Sequence, residues 1–152
     1  TMLREAFRDR LKEAMKARES RTVSTVRLIL AGLKERDVAA RGQGNSEGTS
    51  QAEIQRMLQA MIKQRRESIA LYRQGNRPDL ADQENEEIAV IESFLPRQLD
   101  EGEIEAAVKA AMSETGATTP KDLGKVMAAL REHHAGVIDL GRAGAIVRRL
   151  LG

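Results

Sequence analysis

The sequence predicts an all-α protein in two parts, an N-terminal bundle of about four helices (1–96) followed by a small three-helix C-terminal domain (97–152). Aromatic residues are almost absent, with two Phe, one Tyr and no Trp in 152 residues. Ala, Leu, Ile, Arg, Glu and Gln dominate instead, and most of these enter a helix at little cost. Apolar positions return every three or four residues, and Val and Thr never gather into the alternating runs of a strand.

Leu3, Phe7, Leu11 and Met15 recur at intervals of four with charges between them, which predicts an amphipathic first helix ending near Ser20. Thr22 is placed to cap a second helix. Its Val23, Val26, Leu28, Ile29, Leu30 and Leu33 form a broad apolar surface before Arg36 and Asp37 return it to water. The stretch 41–49, RGQGNSEGT, has three glycines and no apolar anchor, so it reads as a mobile loop. Ser50 with Glu53 is the signature of a capping box opening a third helix, buried through Ile54, Met57, Leu58, Met61, Ile62, Ile69 and Tyr72. Gly75 is suited to end that helix in the left-handed conformation. Asn76 then caps a fourth, with Pro78 in its first turn and Asp79 beside the positive end of its dipole. Leu80, Ile88, Ile91 and Leu95 trace its inner face; Glu84 interrupts them and is expected to pair with a basic residue such as Arg65 across the hairpin.

Pro96 ends the fourth helix, and LPRQL, 95–99, marks the boundary between the two parts. Asp100 with Glu103 opens the next helix, buried through Ile104, Val108 and Met112 and stopped by Gly116. Thr119 and Pro120 open another, with Leu123, Val126, Met127 and Leu130 inward. A last helix runs from about Asp139 to Leu151 on Leu140, Ile146, Val147 and Leu150.

The net charge of +2 divides into +3 for residues 1–99 and −1 for residues 100–152, so neither part is basic enough to announce nucleic acid by itself. With no cysteine there is no disulfide framework, thiolate metal site or thiol nucleophile. No apolar run is long enough to span a bilayer, and the N-terminus shows no secretory pattern; Met2 reads as the natural start, and a cytoplasmic location is expected.

Signatures of catalysis are missing: no Gly-rich phosphate loop, no GxSxG elbow and no HExxH pair. Ser68 follows Arg65, Arg66 and Glu67, yet both histidines lie far off in sequence, leaving it without a base. Glu84, Glu86, Glu87 and Glu92 lack the ExxH partners of a helix-bundle metal site. No catalytic residue, metal or cofactor is therefore assigned. His134 continues the inner face of its helix and reads as a core or capping histidine.

The basic residues fall into two groups. Lys63, Arg65, Arg66, Arg73 and Arg77 crowd the end of the third helix and its turn, a possible face for a partner or for phosphate. Lys121, Lys125, Arg131, Arg142, Arg148 and Arg149 form the second group. Lys121 and Lys125 are one turn apart near the start of their helix, where backbone amides also favour anions. On charge alone, phosphate binding and a solvated surface remain equal alternatives.

The segment KQRRESIALYRQGNRPDLADQENEEIAVIESFLPRQL, 63–99, resembles the YqeY-like proteins of the GatB/YqeY family. The likeness takes in LREAFRDRLKEAMKAR, RLILAGLKERD, the LPRQL junction and TGATTPKDLGKVMAAL, almost the whole chain. It implies a helical bundle followed by a small domain similar to the tail of the B subunit of glutamine-dependent aminoacyl-tRNA amidotransferases, a tail that recognises tRNA while chemistry happens elsewhere. The domain carrying kinase and transamidase chemistry has no counterpart in this sequence, so a carbon–nitrogen ligase label would be inherited by association. Carried over residue by residue, the likeness implies Lys121, Lys125 and Arg131 as candidate tRNA contacts. Arg142 matches the arginine of a Gly-Arg-Ala-Asp-Gly turn that here reads GRAGA, after a longer apolar approach across 133–144. The expected function is a non-catalytic tRNA-binding or amidotransferase-associated protein; the alternative is an adaptor that binds another protein through the N-terminal helical hairpin.

Overall fold

The structure, a computed structural model, describes residues 2–152; Thr1 lies outside them. Among the described residues there are seven α-helices, one 3-10 turn and no strand: α1 (Met2–Ala17), α2 (Ser20–Gly42), α3 (Gln51–Gln74), α4 (Pro78–Glu92), α5 (Glu101–Thr115), α6 (Leu123–His133) and α7 (Leu140–Leu151). The protein is all-α. Two compact units divide it between Leu95 and Pro96.

The first unit packs α1 to α4 around Phe7, Val26, Ile29, Leu33, Ile54, Leu58, Ile62 and Ile91. Each such side chain contributes about 1.5–3 kcal/mol by leaving water. In α1 the core takes Ala14 and leaves Met15 52% exposed, against the sequence expectation. Four-residue steps overshoot a 3.6-residue turn by about 40° each, so the fourth position in that series has rotated off the buried face. No side-chain cap starts α2: Arg18 is left-handed (φ 57°), and the helix resumes at Ser20 with Thr22 already inside it. Asp37 does not return α2 to water, because it is buried. Nor is 41–49 a shapeless loop. Helix continues through Gly42, turns close on Asn45, and Gly48 and Thr49 are buried.

Ser50 caps α3 as expected, its hydroxyl oxygen accepting the Glu53 amide at 3.2 Å; the Ser50 hydroxyl in turn donates to Glu53 Oε1 at 2.9 Å. At the hairpin the left-handed residue is Asn76 (φ 55°), whereas Gly75 has φ −82°. Asn76 is thus the turn residue, and Arg77 occupies the N-cap of α4 without a side-chain capping bond. Helix α4 stops at Glu92, short of Pro96. The Ser93 hydroxyl donates to the Val90 carbonyl at 2.6 Å, and proline disfavours helix at the residue before it.

The second unit packs α5, α6 and α7 around Ile104, Val108, Val126, Leu130, Ile138 and Val147. The capping box of Asp100 and Glu103 is present, and Arg97 clamps Glu103 with bonds of 3.0 and 2.6 Å. The hydrogen bonds from Arg97 lead in pulling the Glu103 carboxyl down to about 2. Glu103 therefore favours the folded unit above the ordinary glutamate range, and that contribution fades as pH falls toward 2. Within 133–144, Ile138 enters the core and the Val137 carbonyl accepts the Leu99 amide at 2.9 Å.

Gly116 ends α5 with φ 68°, and a Cβ there would meet nothing within 4 Å. Gly116→Ala is accordingly expected to cost about 1 kcal/mol from backbone strain alone, and Gly116→Asn less, in urea unfolding monitored through the second unit. An equal loss for Ala and Asn would show that something other than the left-handed conformation selects glycine.

Candidate nucleic-acid interface

The basic residues of the second unit separate by what surrounds them. Lys121 stands in the 3-10 turn Pro120–Asp122, just before α6, so it does not share a regular helical turn with Lys125. Asp122 accepts the amides of Thr118 and Thr119 at 2.9 and 3.1 Å, and these bonds lead in holding its carboxyl below the usual range. The amides of Thr118 and Thr119, just ahead of the turn, are thereby taken by its own carboxylate. Lys125 Nζ lies 3.8 Å from Asp122 Oδ1 and stays well exposed. Gly124, Lys125, Ala128 and Arg131 are all exposed on α6.

Asp139 caps α7, accepting the Arg142 amide at 3.1 Å. From that helix Arg142 reaches Glu101 at 3.8 Å and Arg149 reaches Glu105 at 3.5 Å, so both are partly neutralised by α5. Arg148 turns the other way. A Cβ built on Gly144 would lie 3.5 Å from Arg148 Nη1 and 3.8 Å from Met127 Cε, which puts the guanidinium at the seam of α6 and α7. Among the described residues no carboxylate pairs with Lys121, Arg131 or Arg148. Of six sequence candidates, these three keep their full charge for a ligand.

The first group comes apart in the same way. Arg65 is mostly buried and pairs across the hairpin with Glu84 at 3.9 Å, as expected, while Glu87 at 2.8 Å is the nearer partner. Burial and the neighbouring Glu87 raise the Glu84 carboxyl above its ordinary range. Arg66 meets Glu92 at 3.5 Å, and Arg77 grips Asp79 through two bonds of 3.2 and 3.1 Å. Only Lys63 and Arg73 of that group are exposed without an ion pair among the described residues. Sequence reasoning missed Arg21, which joins this network through Glu86 at 3.1 Å and Glu87 at 3.9 Å.

His133 lies 3.2 Å from Glu114, and His134 is the C-cap of α6; both line a shallow cleft of about 270 Å³ floored by Ala107, Ala111 and Ala129. Among the described residues no three His, Cys, Asp or Glu side chains stand together to hold a metal ion, and no helix is long and apolar enough to cross a membrane.

Residues 4–151 match the sequence profile of the YqeY-like proteins. This chain belongs to the YqeY-like protein family. One relative, "Altered inheritance of mitochondria protein 41, mitochondrial" of Lachancea thermotolerans, is 30% identical over 112 residues, covering 72% of this chain and 58% of its own length. The protein of the same name in Vanderwaltozyma polyspora is 32% identical over 85 residues, 56% of this chain and 44% of its own. An uncharacterised protein of Schizosaccharomyces pombe is 28% identical over 94 residues, 62% of this chain and 72% of its own. The YqeY-like chain thus spans about half the length of the two named relatives. Those names place the relatives in mitochondria, which lends no support to the cytoplasmic location expected from the sequence.

Proposed function

We propose that this YqeY-like chain is a non-catalytic, tRNA-binding or amidotransferase-associated protein whose second unit holds the tRNA backbone. The observation that carries this reading is the unpaired state of Lys121, Arg131 and Arg148 beside a weakly held Lys125. Folded RNA is recognised largely through shape, phosphates and ribose hydroxyls, so a surface of Lys and Arg suffices without stacking aromatics. The same lack of aromatics disfavours single-strand binding. Any carbon–nitrogen ligase chemistry, with glutamine as amide donor, would belong to a partner enzyme. The hairpin adaptor reading loses its main support, since Arg65, Arg66 and Arg77 are engaged within their own hairpin.

Titration of the full chain with total tRNA across a salt series tests this. Affinity should fall with salt. The triple variant Lys121→Glu, Arg131→Glu, Arg148→Glu should bind at least about tenfold more weakly, with a salt slope shallower by about 2–3. Replacing Lys63 and Arg73 by Glu should leave binding nearly unchanged. Equal affinity of the triple variant and the native chain at low salt would overturn the assignment.

A further inference from the structure

Helix α2 turns Val26, Ile29, Leu33 and Asp37 into the first unit and leaves its far side bare. Arg27, Leu28, Ala31, Lys34, Val38 and Arg41 are all exposed there, Leu28 by 49% and Val38 by 61%. Their order has a period. Arg27, Lys34 and Arg41 are seven residues apart, and Ser24, Ala31 and Val38 repeat the same interval. A seven-residue repeat keeps one narrow stripe facing one way along a helix, here for about 21 Å from Arg27 to Arg41.

The cations on this stripe differ from the arginines that tie the helices of the unit together, and resemble Lys63 and Arg73 in holding no carboxylate among the described residues. Arg4, Arg10, Arg21, Arg65, Arg66 and Arg77 each hold a carboxylate. Among the described residues, none pairs with Arg27, Lys34 or Arg41. We propose that this face docks an acidic amphipathic helix of a partner protein, laid along α2 with its apolar seam on Leu28, Ala31 and Val38 and its carboxylates against Arg27, Lys34 and Arg41. Heptad spacing suits a helix as occupant. A second copy of this chain does not fit, because pairing α2 with itself brings Arg and Lys against Arg and Lys. A lipid surface would call for large apolar or aromatic residues, and this stripe offers one Leu, one Val and an Ala. Glu35, exposed beside the stripe, would meet a basic residue and set the partner's direction.

The probe is a 21-residue synthetic peptide with Leu at heptad positions a and d and Glu at e and g, and its counterpart with Lys for Glu. Anisotropy titrations with the full chain should show micromolar binding of the Glu peptide, weakened at least tenfold between 50 and 500 mM salt as an order of magnitude, and none of the Lys peptide. Arg27→Glu, Lys34→Glu, Arg41→Glu together should exchange the preference, and Val38→Glu alone should abolish binding, with helical circular dichroism unchanged in both. Failure of the Glu peptide to bind, or retention of its binding by the triple variant, overturns the proposal. Recruitment to vesicles of phosphatidylglycerol and phosphatidylcholine, or tRNA binding that the α2 triple variant loses, would likewise overturn it in favour of those ligands.

Discussion

Asp37→Ala should destabilise the first unit by about 3–5 kcal/mol, the range for removing one member of a buried ion pair. Asp37 accepts both arms of Arg4 at 2.7 Å each and the Thr49 amide at 2.9 Å, while Arg4 also donates to the Thr49 carbonyl at 3.0 Å. Four bonds thus join the first turn of α1, the last turns of α2 and the approach to α3. Truncation strands the guanidinium, only 18% exposed, and frees a buried amide. Replacing both partners, Arg4→Met with Asp37→Leu, should recover much of the loss, since the two charges also cost desolvation. The hydrogen bonds from Arg4 hold the Asp37 carboxyl well below the usual range against the opposing effect of burial. A folded pKa below the unfolded one means the stabilisation is complete above about pH 4 and is lost as pH falls through the folded value. Urea unfolding at pH 7 and pH 3 should show the gap between the native chain and Asp37→Asn narrowing at the lower pH; a constant gap would exclude this linkage.

Phe7→Ala should cost a similar amount, about 3–5 kcal/mol, for a different reason. Phe7 is fully buried, and its ring meets Phe94 edge-on, with centroids 4.8 Å apart and planes at 85°. Deletion opens a ring-sized cavity between α1 and the end of α4, and it forfeits an aromatic contact of about 0.5–1.5 kcal/mol. Phe7→Leu separates the two effects, because it keeps most of the volume and loses the edge contact. Total stabilities of single domains are about 5–15 kcal/mol, so the alanine variant should show a lowered Tm and early amide exchange across residues 2–95. A loss below about 1 kcal/mol would mean that α1 repacks.

How far all this was readable in the chain depends on what kind of signal each residue gives. Phe7, Ile29, Ile54, Ile91, Ile104 and Val147 announce themselves by spacing, because burial of an apolar side chain has a period. Caps announce themselves by chemistry, as Ser50 and Asp100 did. Asp37 gave neither signal: on sequence it is one charge among many, and only the fold brings Arg4 across from α1. Arg65 pairs with Glu84 as expected but holds Glu87 more closely, because an arginine reaches several residues of a facing helix and local packing sets the distances. The same limit held for the basic residues of the second unit. Their charge is visible in the sequence, but whether Glu101 or Glu105 neutralises a given arginine is decided by how α7 lies on α5.

The turn between α2 and α3 has two ends of opposite character. Gly48 carries φ 80°, and a Cβ there would stand 2.8 Å from Asp37 Oδ1, so that position is tightly constrained to glycine. Residues 43–47 are exposed, and in a chain without cysteine a thiol placed at Ser46 would be unique. That crest is a natural handle for a single fluorophore, through which the proposed nucleic-acid and peptide binding can both be tested in the intact protein.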